Sequence, residues 1–309
     1  MAILGLDLGG TKLATAVFSL DGKLLHRDVT PLNGRTGNDV GTLIQDQVRK
    51  QLRTFTINSI GVSVPGISRE KSGTVWAPNI PGWEDFPLLE VIREVAPVQS
   101  IAIESDRACS IFGEQWQGNA KDCKHAIFMA VGTGIGAGIV DDGRVVKGVD
   151  NIAGAVGWLA LCRGFESKYK SCGCFEYHAS GAGIPKLTKE ILQADSTASS
   201  LRKINIEELT AYDVFDAYND NDTIALKVIS ECVAFWGMAA ANLISIFNPE
   251  MIIFGGGLFG PAVHLIKDIK AEASKWAQPI SYTQVSFRPS ALGGDAAVYG
   301  AGYLALKSI

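Results

Sequence analysis

Two glycine-rich turns and two aspartates carry the chemistry for which this sequence can be read. Asp7 ends a short apolar run and is followed by Gly9, Gly10, Thr11 and Lys12, after which a second apolar run begins. Two strands joined by such a hairpin offer backbone N–H groups, a hydroxyl and an ammonium to a phosphate tail. A carboxylate at the end of the first strand suits Mg²⁺ held through water, because that ion takes carboxylate and phosphate oxygens. The pattern is neither a G-x-x-x-x-G-K loop nor a dinucleotide fingerprint, since no helix follows the glycines. An ordinary glycine-rich hairpin uses the same residues. A second turn, Gly132, Thr133 and Gly134 with Gly136 beyond, repeats the pattern, and Gly255, Gly256 and Gly257 follow the apolar run Ile252-Ile253-Phe254. Bare backbone at a strand end lets adenine and ribose come close, although a tight strand-to-helix turn needs such glycines too. Asp106 stands between an apolar strand and a helix. There it can accept the proton of an attacking hydroxyl, or Ser105 and Asp106 can serve as the helix cap.

The elements that position these residues follow from periodicity. Strands are expected over residues 2–6, 13–18, 59–64, 100–104, 125–131, 137–141 and 251–254, and helices near 40–55, 107–117 and 294–306. Residues 151–184 read as a Gly/Cys-rich irregular segment, and 185–247 as mostly helical. The strand, Gly/Thr turn, strand pattern occurs twice, which suggests a duplicated α/β fold with mixed sheets flanked by helices. Two domains are expected, residues 1–118 with 292–309 and residues 119–291, with the two turns on facing walls of a cleft.

At 309 residues with 47% hydrophobic and 19% charged residues, the chain has the composition of a globular protein. A net charge of −4 gives no basic footprint for nucleic acid. No apolar run approaches the roughly 20 residues that cross a bilayer. Six unevenly spaced cysteines do not read as a disulfide framework. The N-terminus enters a strand with no leader pattern, so a cytoplasmic location is expected.

Taken in order, Asp7-Leu8-Gly9-Gly10-Thr11-Lys12, Val64-Pro65-Gly66, Ala77-Pro78-Asn79-Ile80-Pro81-Gly82-Trp83, Gly132-Thr133-Gly134-Ile135-Gly136, Gly173-Cys174-Phe175-Glu176 with Ser180-Gly181, and Phe254-Gly255-Gly256-Gly257 resemble the ROK (repressor, open reading frame, kinase) family. The resemblance spans essentially the whole chain. It implies the two-domain actin-like ATPase (ribonuclease H-like) fold, ATP and Mg²⁺ as phosphoryl donor, and transfer to a hexose 6-hydroxyl. By the same resemblance Asp106 is the base, Gly10, Thr11, Gly132, Thr133 and Gly134 hold ATP phosphates and Gly256 stands on the adenosine side; the chemistry of Asp7, Gly9, Lys12, Gly255 and Gly257 puts them in the same nucleotide site. Asn79 and Glu176 match sugar contacts, with Pro65, Gly66 and Ser105 beside them. A homodimer is implied as well.

The chain departs from the family at several places. Ser105 replaces the Asn that often precedes the catalytic Asp. The usual Ala-Gly-Glu-x-Gly-His reads Ala153-Gly154-Ala155-Val156-Gly157-Trp158, so a sugar-binding acid and a histidine that binds both sugar and zinc are missing. The standard His-Cys₃ zinc site therefore cannot form. Cys162, Cys172, Cys174 and His178 have the types and number for a substitute Zn²⁺ site, although reduced thiols are the simpler reading. Trp158 can stack on an apolar sugar face or fill space near the anomeric end, so an altered hexose preference is expected. Two other functions compete: a sugar- or nucleotide-binding protein that has lost catalysis, and a sugar-responsive repressor. The second needs a DNA-binding segment ahead of Asp7, for which the sequence as given has no room.

Overall fold

The computed structural model describes residues 1–309. The chain divides into two compact units, one of Met1–Asp122, Val145–Ala153 and Gly294–Ile309, the other of Cys123–Arg144 and Gly154–Gly293.

The sheet of the first unit contains β1 (Ala2–Leu8), β2 (Lys12–Ser19), β3 (Leu24–Pro31), β4 (Ile57–Val64) and, after the small hairpin β5 (Ile67–Arg69) and β6 (Thr74–Trp76), β7 (Ser100–Ser105). Its strand order is β3-β2-β1-β4-β7. β1 pairs antiparallel with β2 and parallel with β4, and β4 runs parallel to β7. β1 is almost wholly buried, as its apolar stretch Ala2–Leu6 requires, whereas β3 alternates between exposed and half-buried positions as an edge strand does. Helices α1 (Gly37–Thr54), α2 (Leu88–Arg93) and α3 (Asp106–Gln117) lie in this unit. The apolar face of α1, Val40, Leu43, Ile44 and Val48, joins Leu6, Ile60 and the indole of Trp83 in one core.

The second unit repeats the plan with β8 (Ala126–Val131), β9 (Ile135–Asp141), β10 (Arg144–Val145), β11 (Met251–Gly255) and β12 (Ser286–Pro289) in the order β10-β9-β8-β11-β12. Here too the central strand pairs antiparallel with the second strand of its hairpin and parallel with the strand that follows. Helices α4 (Cys174–Ala179), α5 (Gly183–Ala194), α6 (Ala211–Asn219), α7 (Thr223–Phe247), α8 (Ile266–Ala273) and α9 (Pro279–Gln284) complete it. α7 is long and apolar enough to match a bilayer span, but most of that stretch is buried in the unit's core. Asp222 caps its start by accepting from the N–H groups of Ile224 and Ala225, and Asn248 ends it in the left-handed region.

The last helix, α10 (Ala296–Lys307), packs in the first unit against β1, β4 and α3. Its small residues permit that: a Cβ on Gly61 of β4 would stand 1.9 Å from the Ala301 carbonyl, and one on Gly300 would stand 1.7 Å from that of Cys109. Nothing larger than glycine fits at these two crossings. Residues 151–184, read as irregular, contain α4 and two 3₁₀ turns, Val156–Trp158 and Ser167–Ser171. These elements are too short to leave a periodic pattern.

Candidate active site

In the first unit the register sets Asp7 opposite Ser63 and Ser63 opposite Glu104, across the C-terminal ends of the parallel strands β1, β4 and β7. Strand ends of an α/β sheet are where such folds put their ligands. The Ser63 hydroxyl donates to Asp7 Oδ1 at 2.7 Å. Burial pushes the Asp7 carboxyl up to about 6; the Ser63 hydrogen bond and Lys12 oppose this, and the charge of Asp106 adds to it. Beyond Asp7 the hairpin closes with the Gly9 N–H on the Lys12 carbonyl at 2.8 Å, and the Thr11 carbonyl accepts from Leu32 at 2.8 Å. Thr11 and Lys12 are exposed. Asn79 reaches the same hairpin: a Cβ built on Gly10 would lie 3.6 Å from its own. Pro65 and Gly66 follow β4, where a Cβ on Gly66 would meet the Trp76 carbonyl at 2.0 Å.

Asp106 is the first residue of α3. The capping falls to Ser105, whose Oγ accepts from the Ala108 N–H at 3.3 Å. The Arg107 N–H donates to Asp106 Oδ1 at 2.8 Å. Burial raises the Asp106 carboxyl above the ordinary aspartate range, while the charge and N–H of Arg107 act against it. A carboxylate with a raised pKa at a strand-to-helix corner has the basicity a proton acceptor needs.

Glu104, buried beside this corner, was not singled out from sequence. Its Oε1 accepts from the Ser105 N–H at 2.9 Å, and its Oε2 pairs with Lys147 Nζ at 2.8 Å. Lys147 also pairs with Glu70. The segment carrying Lys147 is held further on, where Asn151 Nδ2 donates to the Ser68 carbonyl at 2.7 Å and Arg107 donates to the Asn151 carbonyl at 3.4 Å.

In the second unit the Gly132 N–H closes its turn on the Gly134 carbonyl at 2.9 Å. The carbonyls of Gly132 and Thr133 accept from Gly181 and Ala182 at 2.7 and 3.1 Å, tying the hairpin to the start of α5. Glu176, from α4, accepts the Ile135 N–H on Oε2 at 2.7 Å. A side chain on Gly134 would strike that oxygen at 2.7 Å. Burial raises the Glu176 carboxyl, and the Ile135 N–H works against it. Gly255 ends β11 beside Ala130 of β8. Gly256 follows with φ +87°, where a Cβ would stand 2.4 Å from the Val131 carbonyl. Gly132 and Gly257 are neighbours, a Cβ on the first lying 3.9 Å from the nitrogen of the second. Tyr212, not read from sequence, brings its hydroxyl within 3.6 Å of the Cβ position of Gly257.

Trp158 is 57% exposed. With Phe165, Tyr169, Cys162 and Cys174 it lines a cavity of about 390 Å³. Of the four residues considered for a metal, Cys162, Cys174 and His178 bring their ligand atoms within 4.8 Å of one another. Cys172 does not join them. Gly173 turns the chain at φ +85° between the two cysteines, and the Cys172 sulfur lies against the Gly173 carbonyl at 3.8 Å.

The whole chain resembles known proteins. A glucokinase of Halalkalibacterium halodurans is 32% identical over 97% of this chain and 93% of its own length. A xylose repressor of Caldicellulosiruptor bescii is 29% identical over 82% of this chain and 65% of its own length. Among solved structures, the ROK hexokinase of Thermus thermophilus superposes with a TM-score of 0.80 at 26% identity, covering 99% of this chain and 98% of that one. The sequence model of the ROK family matches residues 3–308, and the chain belongs to that family.

Proposed function

We propose that this chain is an ATP-dependent sugar kinase that transfers the γ-phosphoryl group to a hexose, at the 6-hydroxyl of glucose or of a related aldohexose or amino sugar. The observation that carries this reading is the placing of Asp7 and Asp106 at the C-terminal ends of β1 and β7, on either side of β4, both with carboxyl pKa values raised by burial and Asp7 leading into a phosphate-type hairpin. Likeness to a glucokinase over 97% of the chain supports it.

Asp106 accepts the proton of the acceptor hydroxyl as that oxygen bonds to the γ-phosphorus and the bond to the ADP oxygen breaks. The Arg107 N–H on Oδ1 fixes the carboxylate's orientation. ATP with Mg²⁺ suits the residues present, because Asp7 is an anchored carboxylate and the hairpin of residues 9–12 presents N–H groups, the Thr11 hydroxyl and the Lys12 ammonium. Bound Mg²⁺ would supply charge neutralisation at the transferring phosphoryl group. Gly132, Thr133 and Gly134 take phosphate oxygens, and residues 255–257 the adenosine. Asn79, Ser105 and Glu176 contact sugar hydroxyls, with Pro65, Gly66 and Trp158 beside them. Trp158 and Ala155 narrow the choice of acceptor.

A coupled ADP-release assay with ATP and Mg²⁺ tests the reading against glucose, mannose, fructose, glucosamine, N-acetylglucosamine, N-acetylmannosamine and a β-glucoside. Turnover on one or two sugars is the expected result. The absence of an acid and an imidazole at Ala155 and Trp158 favours one alternative, a binding protein without catalysis. Sugar binding by calorimetry with no ADP release on any member of the panel would replace the kinase reading by that one.

A further inference from the structure

The geometry points to a metal site in the second unit formed by Cys162, Cys174 and His178, with the Tyr169 oxygen as fourth donor and Zn²⁺ as the ion. Cys174 and His178 are the first and fifth residues of α4, and a spacing of four puts both on one face of the helix. Cys162 arrives from the loop between the two 3₁₀ turns, its sulfur 3.1 Å from that of Cys174. The buried Tyr169 sets its hydroxyl 3.0 Å from His178 Nε2 and 3.7 Å from the Cys162 sulfur. Bonds of about 2.0–2.3 Å to a tetrahedral zinc imply donor-to-donor edges of roughly 3.3 Å between N or O atoms and roughly 3.8 Å between sulfurs. The separations of 3.0 and 3.7 Å are within a few tenths of such edges, the sulfurs at 3.1 Å stand about 0.7 Å too close, and the thiols and imidazole all lie within 4.8 Å of one another. Small side-chain adjustments close the set around an ion.

The donor chemistry agrees. Two sulfurs and an imidazole select Zn²⁺ over Mg²⁺ or Ca²⁺, and loading converts both thiols to thiolates with release of their protons. This set differs from the standard family site, whose histidine position is Trp158 and which does not use His178. The ion also has a structural task. α4 has six residues, too few for a helix to hold itself. Clipping both its ends to the 162 loop steadies Glu176, which lies midway between the two helical ligands. That consequence for sugar binding rests on the role proposed for Glu176; the site itself does not.

The test is metal titration of the full-length chain, reduced, stripped with chelator and followed with Co²⁺ and Zn²⁺. One equivalent of Co²⁺ is expected to give the absorption of a tetrahedral thiolate site, and one of Zn²⁺ to displace it. Cys162→Ser, Cys174→Ser and His178→Ala should each lower affinity by 100-fold or more, and Tyr169→Phe by roughly tenfold. Cys172→Ser should bind as the wild type does. A folded wild-type chain (by circular dichroism) that shows no stoichiometric cobalt spectrum overturns the site. So does loss of binding in Cys172→Ser with retention in Cys162→Ser, or a Cys162–Cys174 disulfide forming equally with and without Zn²⁺. None of these readouts uses kinase activity, so a failed metal site and a failed kinase reading are told apart.

Discussion

The two five-stranded sheets share one topology and differ in the chemistry at their strand ends. In the sheet of the first unit, carboxylates stand at the ends of β1 and of the edge strand β7, Asp7 within β1 and Asp106 just past β7, both desolvated enough to raise their pKa values. In the sheet of the second, β8 and β11 run into glycine turns, residues 132–134 and 255–257, which match the turns after β1 and β4 of the first sheet, but the position of β8 that corresponds to Asp7 is Ala130. One scaffold thus offers glycine turns in both copies and adds carboxylates at its strand ends in the first. Carboxylates can hold a cation and accept a proton; peptide N–H groups and open backbone can take phosphates and a flat base. Damage to the first sheet should therefore be read in chemistry, and damage to the second in folding and nucleotide affinity.

Asp106→Asn is expected to have the largest effect. Removing the proposed base should lower turnover by about 10²–10⁴-fold with nucleotide affinity nearly unchanged. Steady-state kinetics beside ATP titration by calorimetry measures both. Near-normal turnover in this variant would falsify the assignment of Asp106 and remove half of the contrast between the sheets.

Gly256→Ala attacks the second sheet. It sets an alanine at φ +87° with its methyl 2.4 Å from the Val131 carbonyl, at a cost of about 2–4 kcal/mol. Gly293→Ala is the control, because φ is +55° there but no atom lies within 4 Å of the new methyl, so about 1 kcal/mol is expected. Urea denaturation measures both, and KM for ATP should rise in Gly256→Ala alone. A Gly256→Ala enzyme with normal stability and normal KM but low kcat would contradict the division of labour.

Asp7→Asn turns the first sheet's desolvated charge into a pH experiment. The carboxyl titrates at about 6 in the fold and near 3.8 when unfolded. A carboxyl with a raised pKa disfavours the native state at pH above 6, and the penalty fades as pH falls through 6 toward 4. At pH 8, without nucleotide or Mg²⁺, Asp7→Asn should be more stable than the wild type by on the order of 1–3 kcal/mol, and the two should converge by pH 4. The same substitution should raise the Mg²⁺ required for turnover. A constant stability difference from pH 4 to pH 8 would show that Asp7 is not desolvated.

What was legible in the sequence was whatever short-range pattern determines. Both glycine hairpins, the strands that feed them and the corner at Ser105 and Asp106 are set by neighbouring residues, and they stand at strand ends in the structure. Contacts made at long sequence separation left no trace. Nothing near Glu176 announces that its carboxylate meets the Ile135 N–H, and nothing near Lys147 points to Glu104. Cys172 and Cys174 look alike as candidate ligands until Gly173, at φ +85°, sets their sulfurs in different surroundings. Tyr169 reads as one aromatic residue in a loop, yet it is buried between Cys162 and His178.

Lys147 offers the finest test of why the first sheet can carry charge at all. Glu104 has almost no solvent, and its carboxylate is balanced by the Ser105 N–H on one oxygen and by Lys147 on the other. Lys147→Met leaves that carboxylate buried with only the N–H, and because the lysine itself is partly exposed the loss should be moderate, about 1–3 kcal/mol. Glu104→Gln in the same background removes the unpaired charge while Oε1 still accepts from Ser105, so the double variant should recover more than half of the loss. That rescue separates charge balance from packing, since a purely steric role for the Lys147 stem would leave the double variant as weak as the single one. Turnover should follow the same order, because the Ser105 N–H that Glu104 holds belongs to the residue immediately before Asp106. If stability is rescued and turnover is not, then Lys147 bears on the Asp106 corner by a route other than the Glu104 charge.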